Sequence, residues 1–142
     1  MSATALPDVV VTELFNAPIG KVWDAVSTSE GIAAWFMPNT FQPELGREFT
    51  LTSQYEVSVC KVTELDPPNK LMFTWGKHWV ITLELKAVSE EQTEFTLIHG
   101  GWDAAITEAN GMNHTAIRER MGGGWKSNVV PALRRLVESE GK

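Results

Sequence analysis

The last thirty residues, Asn113 to Lys142, constrain the fold most. Ile117, Met121, Trp125, Val129, Leu133, Leu136 and Val137 recur at steps of four, four, four, four, three and one, which puts them on one stripe of a helix. Arg118, Arg120, Lys126, Arg134, Arg135 and Glu138 fall mostly elsewhere. An amphipathic helix of this length needs an apolar surface to cover. The rest of the chain offers five or six strand-like runs and no second helix as long, so the pattern predicts a sheet that wraps one long helix. Two features count against a regular helix. Gly122, Gly123 and Gly124 each cost about 0.5–1 kcal/mol relative to Ala in a helix interior. Pro131 costs about 3 kcal/mol there and usually kinks the helix. Either the helix proper starts at Gly124, or the small residues leave an empty volume between helix and sheet. The two readings are compatible.

Upstream, Met1 to Pro7 reads as a frayed terminus. Val9 to Phe15 is a strand with apolar residues on both faces, so its inner face stays open. Asn16-Ala17-Pro18 turns into a helix carrying Ile19, Val22, Trp23 and Val26 at helical spacing. A second short helix starts near Ser29, shows Ile32, Trp35 and Phe36 on one face, and ends at Met37-Pro38. Five strands follow: Arg47–Thr52, Tyr55–Leu65, one carrying Leu71, Phe73 and Trp75, His78–Val88, and one carrying Thr93, Phe95, Leu97 and His99. Short turns such as Asp66-Pro67-Pro68-Asn69 and Ser89-Glu90-Glu91-Gln92 join them. The order predicts an α+β fold: an antiparallel meander of about six strands whose concave face is covered by the long helix.

At 142 residues the chain fits a single domain spanning 1–142. Its net charge of −6 argues against a nucleic-acid partner, since phosphate binding needs clustered Lys and Arg. No apolar run approaches the ~20 residues that span a bilayer, so membrane insertion is not expected. The N-terminus lacks a basic region followed by an apolar core, which makes a cytoplasmic location the default. Cys60 stands alone and cannot form an internal disulfide. Six Trp against one Tyr favour a large apolar interior or an aromatic-lined pocket.

Several local signals occur in a characteristic order. They are Asn16-Ala17-Pro18 with Val22-Trp23, then Trp35-Phe36, then Glu64-Leu65-Asp66-Pro67-Pro68-Asn69-Lys70-Leu71 with Phe73-Thr74-Trp75. His99-Gly100-Gly101-Trp102 and Gly124-Trp125 follow, with Leu133 and Leu136 after them. From about Val9 to Val137 the chain resembles the START-like helix-grip superfamily, also called SRPBCC. Within it, the chain resembles homologues of the C-terminal domain of the heat-shock-90 ATPase activator. Each motif is weak by itself; their order and spacing are specific for the fold and less so for function. The resemblance implies a curved antiparallel sheet gripping a C-terminal helix, with an apolar cavity between them. Many relatives bind lipids, polyketides or other hydrophobic molecules there. The eukaryotic activators carry an additional chaperone-binding domain for which this chain has no room, and stand-alone members look bacterial.

The residues expected to line such a cavity are Trp35, Phe36, Phe73, Trp75, Trp79, Ile81, Leu97, His99, Trp102, Met121 and Trp125. Dense packing of the same side chains is the plain alternative, since burying each aromatic is worth roughly 2–3 kcal/mol. His99 and Glu13 are the candidate polar anchors. His99 could bond a ligand oxygen or act as acid or base, or be a core histidine satisfied by backbone groups. No metal spacing, phosphate loop or nucleophile elbow occurs, and no cofactor is expected. Cys60 lies mid-strand as a small buried residue rather than a nucleophile. The expected function is binding of a hydrophobic or aromatic small molecule between sheet and helix. The alternatives are a cyclase- or hydrolase-type enzyme using His99, and a chaperone-interacting module with an exposed apolar patch near Met37 to Phe41. The sequence does not give the oligomeric state.

Overall fold

Alternation decides which face of each strand is inward. In β1 (Val9–Phe15), Val9, Val11 and Phe15 are buried while Val10, Thr12 and Leu14 are exposed, which settles the face the sequence left open. The structure, a computed structural model, describes residues 6–53, 57–107 and 111–138. After β1 come two short helices, α1 (Ile19–Val26) and α2 (Ser29–Trp35). Then follow β2 (Glu48–Thr52), β3 (Val57–Asp66), β4 (Lys70–Trp75), β5 (Trp79–Ser89) and β6 (Gln92–Gly100). Tyr55, expected to open β3, lies outside the described residues.

The six strands form one antiparallel sheet in the order β1-β6-β5-β4-β3-β2. Register sets rows of facing side chains across the inner surface. Val9 stands opposite His99, His99 opposite Ile81, Ile81 opposite Phe73 and Phe73 opposite Val62. The next row, two residues along, is Val11, Leu97, Leu83 and Leu71. All nine side chains are buried. Register shifts at Val62/Glu64 and Ala87/Ser89 bend the sheet.

The long helix, α3, runs from His114 to Glu138 in three parts: α-helical His114–Gly124, a π-helical turn Trp125–Val129 and α-helical Val130–Glu138. Asn113 caps it by accepting the Ala116 N–H at 2.9 Å. The three glycines are therefore interior, not the start. The π turn directly precedes Pro131, which has no N–H to give and whose ring would crowd the Ser127 carbonyl in an unbroken α-helix. It also serves the apolar stripe. Each step of four drifts by about 40° around an α-helix, and one wider turn offsets the drift. Ile117, Trp125, Leu133 and Val137 stay buried against the sheet and short helices. The result is the helix-grip architecture.

Leu6 and Pro7 are tied down rather than frayed. The Leu6 N–H donates to the Trp102 carbonyl at 3.0 Å, and the Pro7 carbonyl accepts from Arg118 Nε at 2.7 Å. The volume left by the glycines opens at the surface, not between helix and sheet core. It is a groove of ≈ 460 Å3 between α3 and β1, lined by Asp8, Val9, Val10, Arg118, Glu119, Gly122, Gly123 and Lys126. The candidate lining residue Met121 is half-buried on α3 and does not border the small void between Phe36, Trp125 and the sheet.

Two glycines predict opposite outcomes. A Cβ at Gly123 would meet nothing within 4 Å, so Gly123→Ala should raise stability by about 0.5–1 kcal/mol in urea unfolding. Gly101 has φ +92°, and its Cβ would overlap the His78 carbonyl oxygen. Gly101→Ala should cost at least about 2 kcal/mol in the same experiment.

Candidate functional site

The inner face has an aliphatic end and an aromatic end. At the aromatic end five of the six Trp gather with Phe36 and the three His. Trp75 and Trp79 face each other across β4 and β5 with ring centroids 5.3 Å apart. His99 on β6 lies 5.5 Å from Trp75, 5.3 Å from Trp79 and 4.5 Å from Trp102. Phe36, just beyond α2, contacts Trp35, Trp75 and Trp125 at 5.6, 5.5 and 5.0 Å. His114, in the first turn of α3, packs on Trp79, Trp102 and the exposed His78. His78 was not anticipated here; His114 was considered only for a metal group with His99 and Asp103, and its place in the first turn of α3 follows from the capping Asn113 directly before it.

The cavity expected from the sequence is not open. Between Phe36, Trp125 and the sheet there remains a void of only ≈ 10 Å3, about enough for one water centre. The range typical of ligand sites is about 300–1,000 Å3. Its lining is wholly apolar: Val26, Ile32, Trp35, Phe36, Phe49, Leu51, Phe73, Ile81, Leu83 and Trp125. Five of the candidate residues (Trp35, Phe36, Phe73, Ile81 and Trp125) border it. Trp75, Trp79, His99 and Trp102 form the adjoining aromatic cluster. Leu97 belongs to the aliphatic row. Phe49 and Leu51 were missed as lining residues, although they alternate inward along β2.

The polar groups divide sharply. The Trp35 indole N–H donates to the Ala25 carbonyl at 2.8 Å, and that of Trp102 to the His99 carbonyl at 2.8 Å. The Trp125 N–H donates to His99 Nδ1 at 3.0 Å. Nδ1 is thus the acceptor and Nε2 carries the ring proton. His99 is fully buried, and its Nε2 has no partner; Trp75 Nε1 and Trp79 Nε1 are likewise buried without one. Burial pushes the His99 pKa down from 6.5 to about 3, with the neighbouring His114 adding to the effect. The imidazole is neutral and offers a donor. A histidine in that state cannot take a proton at Nε2 and is a poor acid or base near neutral pH.

Glu13 is not beside His99. In the register Glu13 faces Phe95 while His99 faces Val9, a separation of four residues or about 13 Å along the strand. Its carboxylate pairs with Arg134 at 2.6 Å, and Arg134 also reaches Glu138 at 2.9 Å and lies over the Phe15 ring. The His114 Nδ1 accepts from the Asp103 N–H at 3.2 Å. Among the described residues no three His, Cys, Asp or Glu are grouped to hold a metal ion. Cys60 is buried, and burial pushes its thiol up to about 12, so it is no nucleophile at neutral pH. Among the described residues no helix is long and apolar enough to cross a membrane.

Comparison with known proteins bears on this arrangement. The model of the family described as activator of Hsp90 ATPase homolog 1-like protein matches residues 16–138. The chain belongs to that family. The solution structure of a Bacillus halodurans protein is similar at 43% identity and TM-score 0.86, covering 95% of this chain and 99% of that one. An HSP90 activator from Plasmodium falciparum shares the fold at 20% identity and TM-score 0.73, over 89% of this chain and 92% of the other. So does DynU16, a protein of the dynemicin biosynthetic locus, at 20% identity and TM-score 0.74, over 94% of this chain and 48% of that one. No curated protein matches the sequence. Family membership carries the helix-grip fold with it.

The neutral His99 predicts an acid limb in stability. Its pKa is lower folded than unfolded, so between about 6.5 and 3 the unfolded chain binds the extra proton. Its contribution is complete above pH 6.5 and is lost as the pH falls, at up to about 1.4 kcal/mol per pH unit. Urea unfolding between pH 7 and 4 should show this slope, and His99→Gln should flatten it by close to one proton.

Proposed function

We propose that this protein binds a hydrophobic or aromatic small molecule at the aromatic end of the interior, and that the closed arrangement is its unliganded form. One observation carries the reading. Phe36 is a half-buried ring at the C-terminal end of a short helix, seated among Trp35, Trp75 and Trp125 over a wholly apolar void. A flat ligand ring could take the place of that one side chain without disturbing the sheet. Affinity would come from apolar burial, at about 25 cal/mol per Å2, less the cost of displacing Phe36. The two rival readings have less support. A chaperone-contacting patch at Met37 to Phe41 needs exposed apolar rings, yet Phe41 is 3% exposed and Phe36 and Met37 are half-buried. The cyclase- or hydrolase-type reading takes His99 as acid or base, and the neutral, Nε2-protonated ring is poorly suited to either role.

Titration of Trp fluorescence with naphthalene, biphenyl and a medium-chain fatty acid tests the proposal. At least one should shift or quench the emission of the wild-type protein. Phe36→Ala, which removes the displaced ring, should bind it about tenfold tighter. If neither protein responds to any of the three, the interior is only a core.

A further inference from the structure

Three N–H groups of the aromatic cluster have no acceptor among the described residues: His99 Nε2, Trp75 Nε1 and Trp79 Nε1. An unmade hydrogen bond in the interior is costly, and each such group in a folded protein calls for a reason. Random misfit would scatter them. Here they belong to three rings in mutual contact, with centroids 5.3–5.5 Å apart. The other indoles of the same cluster (Trp35, Trp102 and Trp125) all have acceptors at 2.8–3.0 Å. Trp75 is 7% exposed and His99 wholly buried. The near-perpendicular Trp79–His99 and steeply inclined Trp75–Trp79 packing lets an N–H look toward a neighbouring ring, a weaker compensation than an oxygen would give.

We propose that these three groups form a docking point for the carbonyl oxygen of the ligand whose ring replaces Phe36; the inference rests on the binding reading above. The set is donor-only: an indole cannot accept, and His99 Nδ1 is already occupied by Trp125. It is also uncharged. A carbonyl oxygen matches such a site, because its two lone pairs take two donors and it brings no charge into the interior. A carboxylate would have to be buried opposite neutral donors, which disfavours it. Trp75 links the two halves of the site, touching Phe36 on one side and His99 on the other at 5.5 Å each. A ring in the place of Phe36 would therefore touch Trp75 directly, with His99 and Trp79 next to that indole, so in this proposal an aryl ketone directs its oxygen toward Trp75.

The test is a matched pair of one-ring probes, acetophenone and ethylbenzene, which differ by a carbonyl in place of a methylene. Calorimetry with wild type and Phe36→Ala should give acetophenone the tighter binding, by roughly fivefold to tenfold, the worth of about one net hydrogen bond. The indole N–H proton resonances of Trp75 and Trp79 should move downfield with acetophenone and not with ethylbenzene. Trp79→Phe keeps a ring and drops a donor, so it should shrink the preference while ethylbenzene binds as before. Equal binding of both probes, with the indole resonances unmoved, overturns the carbonyl site (the donors then hold an ordered water or face rings) and leaves the binding reading intact. Binding of neither probe to either protein counts against both.

Discussion

The hydrogen bond from the Trp125 indole to His99 Nδ1, 3.0 Å long and buried, ties the long helix to the C-terminal end of β6. Most of the grip is apolar and non-directional, and such contacts allow a helix to slide or rotate by small amounts. This bond is directional, and in a low-dielectric interior it is stronger than in water, so it favours one placement of the helix. It also fixes the chemistry of the ring. With Nδ1 accepting, the proton must sit on Nε2, and the histidine stays neutral in surroundings that disfavour its cation. The π turn of α3 begins at the same Trp125. The irregularity that accommodates Pro131 thus coincides with the residue that anchors the helix.

From that anchor the interior separates into two regimes. Leu71, Leu83, Leu97, Val11 and Phe95 form a close-packed aliphatic floor of the kind that resists change in volume. The indole and imidazole end is different. Its side chains are wide, flat and polar at one edge; a small void borders Trp35, Phe36 and Trp125, and Trp75, Trp79 and His99 beside them carry donors that find no acceptor among the described residues. Solved proteins whose names point to unlike settings, an HSP90 activator and a protein of a biosynthetic locus, share this fold.

What the sequence revealed follows the physics of each element. β5 and β6 alternate cleanly, because one face is core and the other solvent, and their inner residues were readable one by one. The stripe of α3 was readable too, but not its start. Propensity set the glycines against an interior position, whereas packing of Ile117 and Trp125 on the sheet and the Asn113 cap outweigh that cost. The inner face of β1 was undetermined because both faces carry valine and leucine; only pairing with β6 decides it. The aromatic candidates were found, yet their closure over a ≈ 10 Å3 void depends on how Phe36 and Trp125 interlock, which composition does not encode. The two polar candidates, Glu13 and His99, are held apart by register: two strands can be neighbours while two of their residues are not.

β1 has a further consequence, in time rather than space. It pairs with β6, and its end is clasped by Arg134 through Glu13 and the Leu14 carbonyl. Both of these partners are made late in synthesis. Between the emergence of Phe15 and that of Thr93, at about 5–20 residues per second, a ribosome needs on the order of 4–16 s. Throughout that interval a valine-rich strand, apolar on both faces, has both edges open and nothing of its own chain to bind. The first strand of the sheet to be made is thus the one that waits longest for its partner, and the last helix completes its hold.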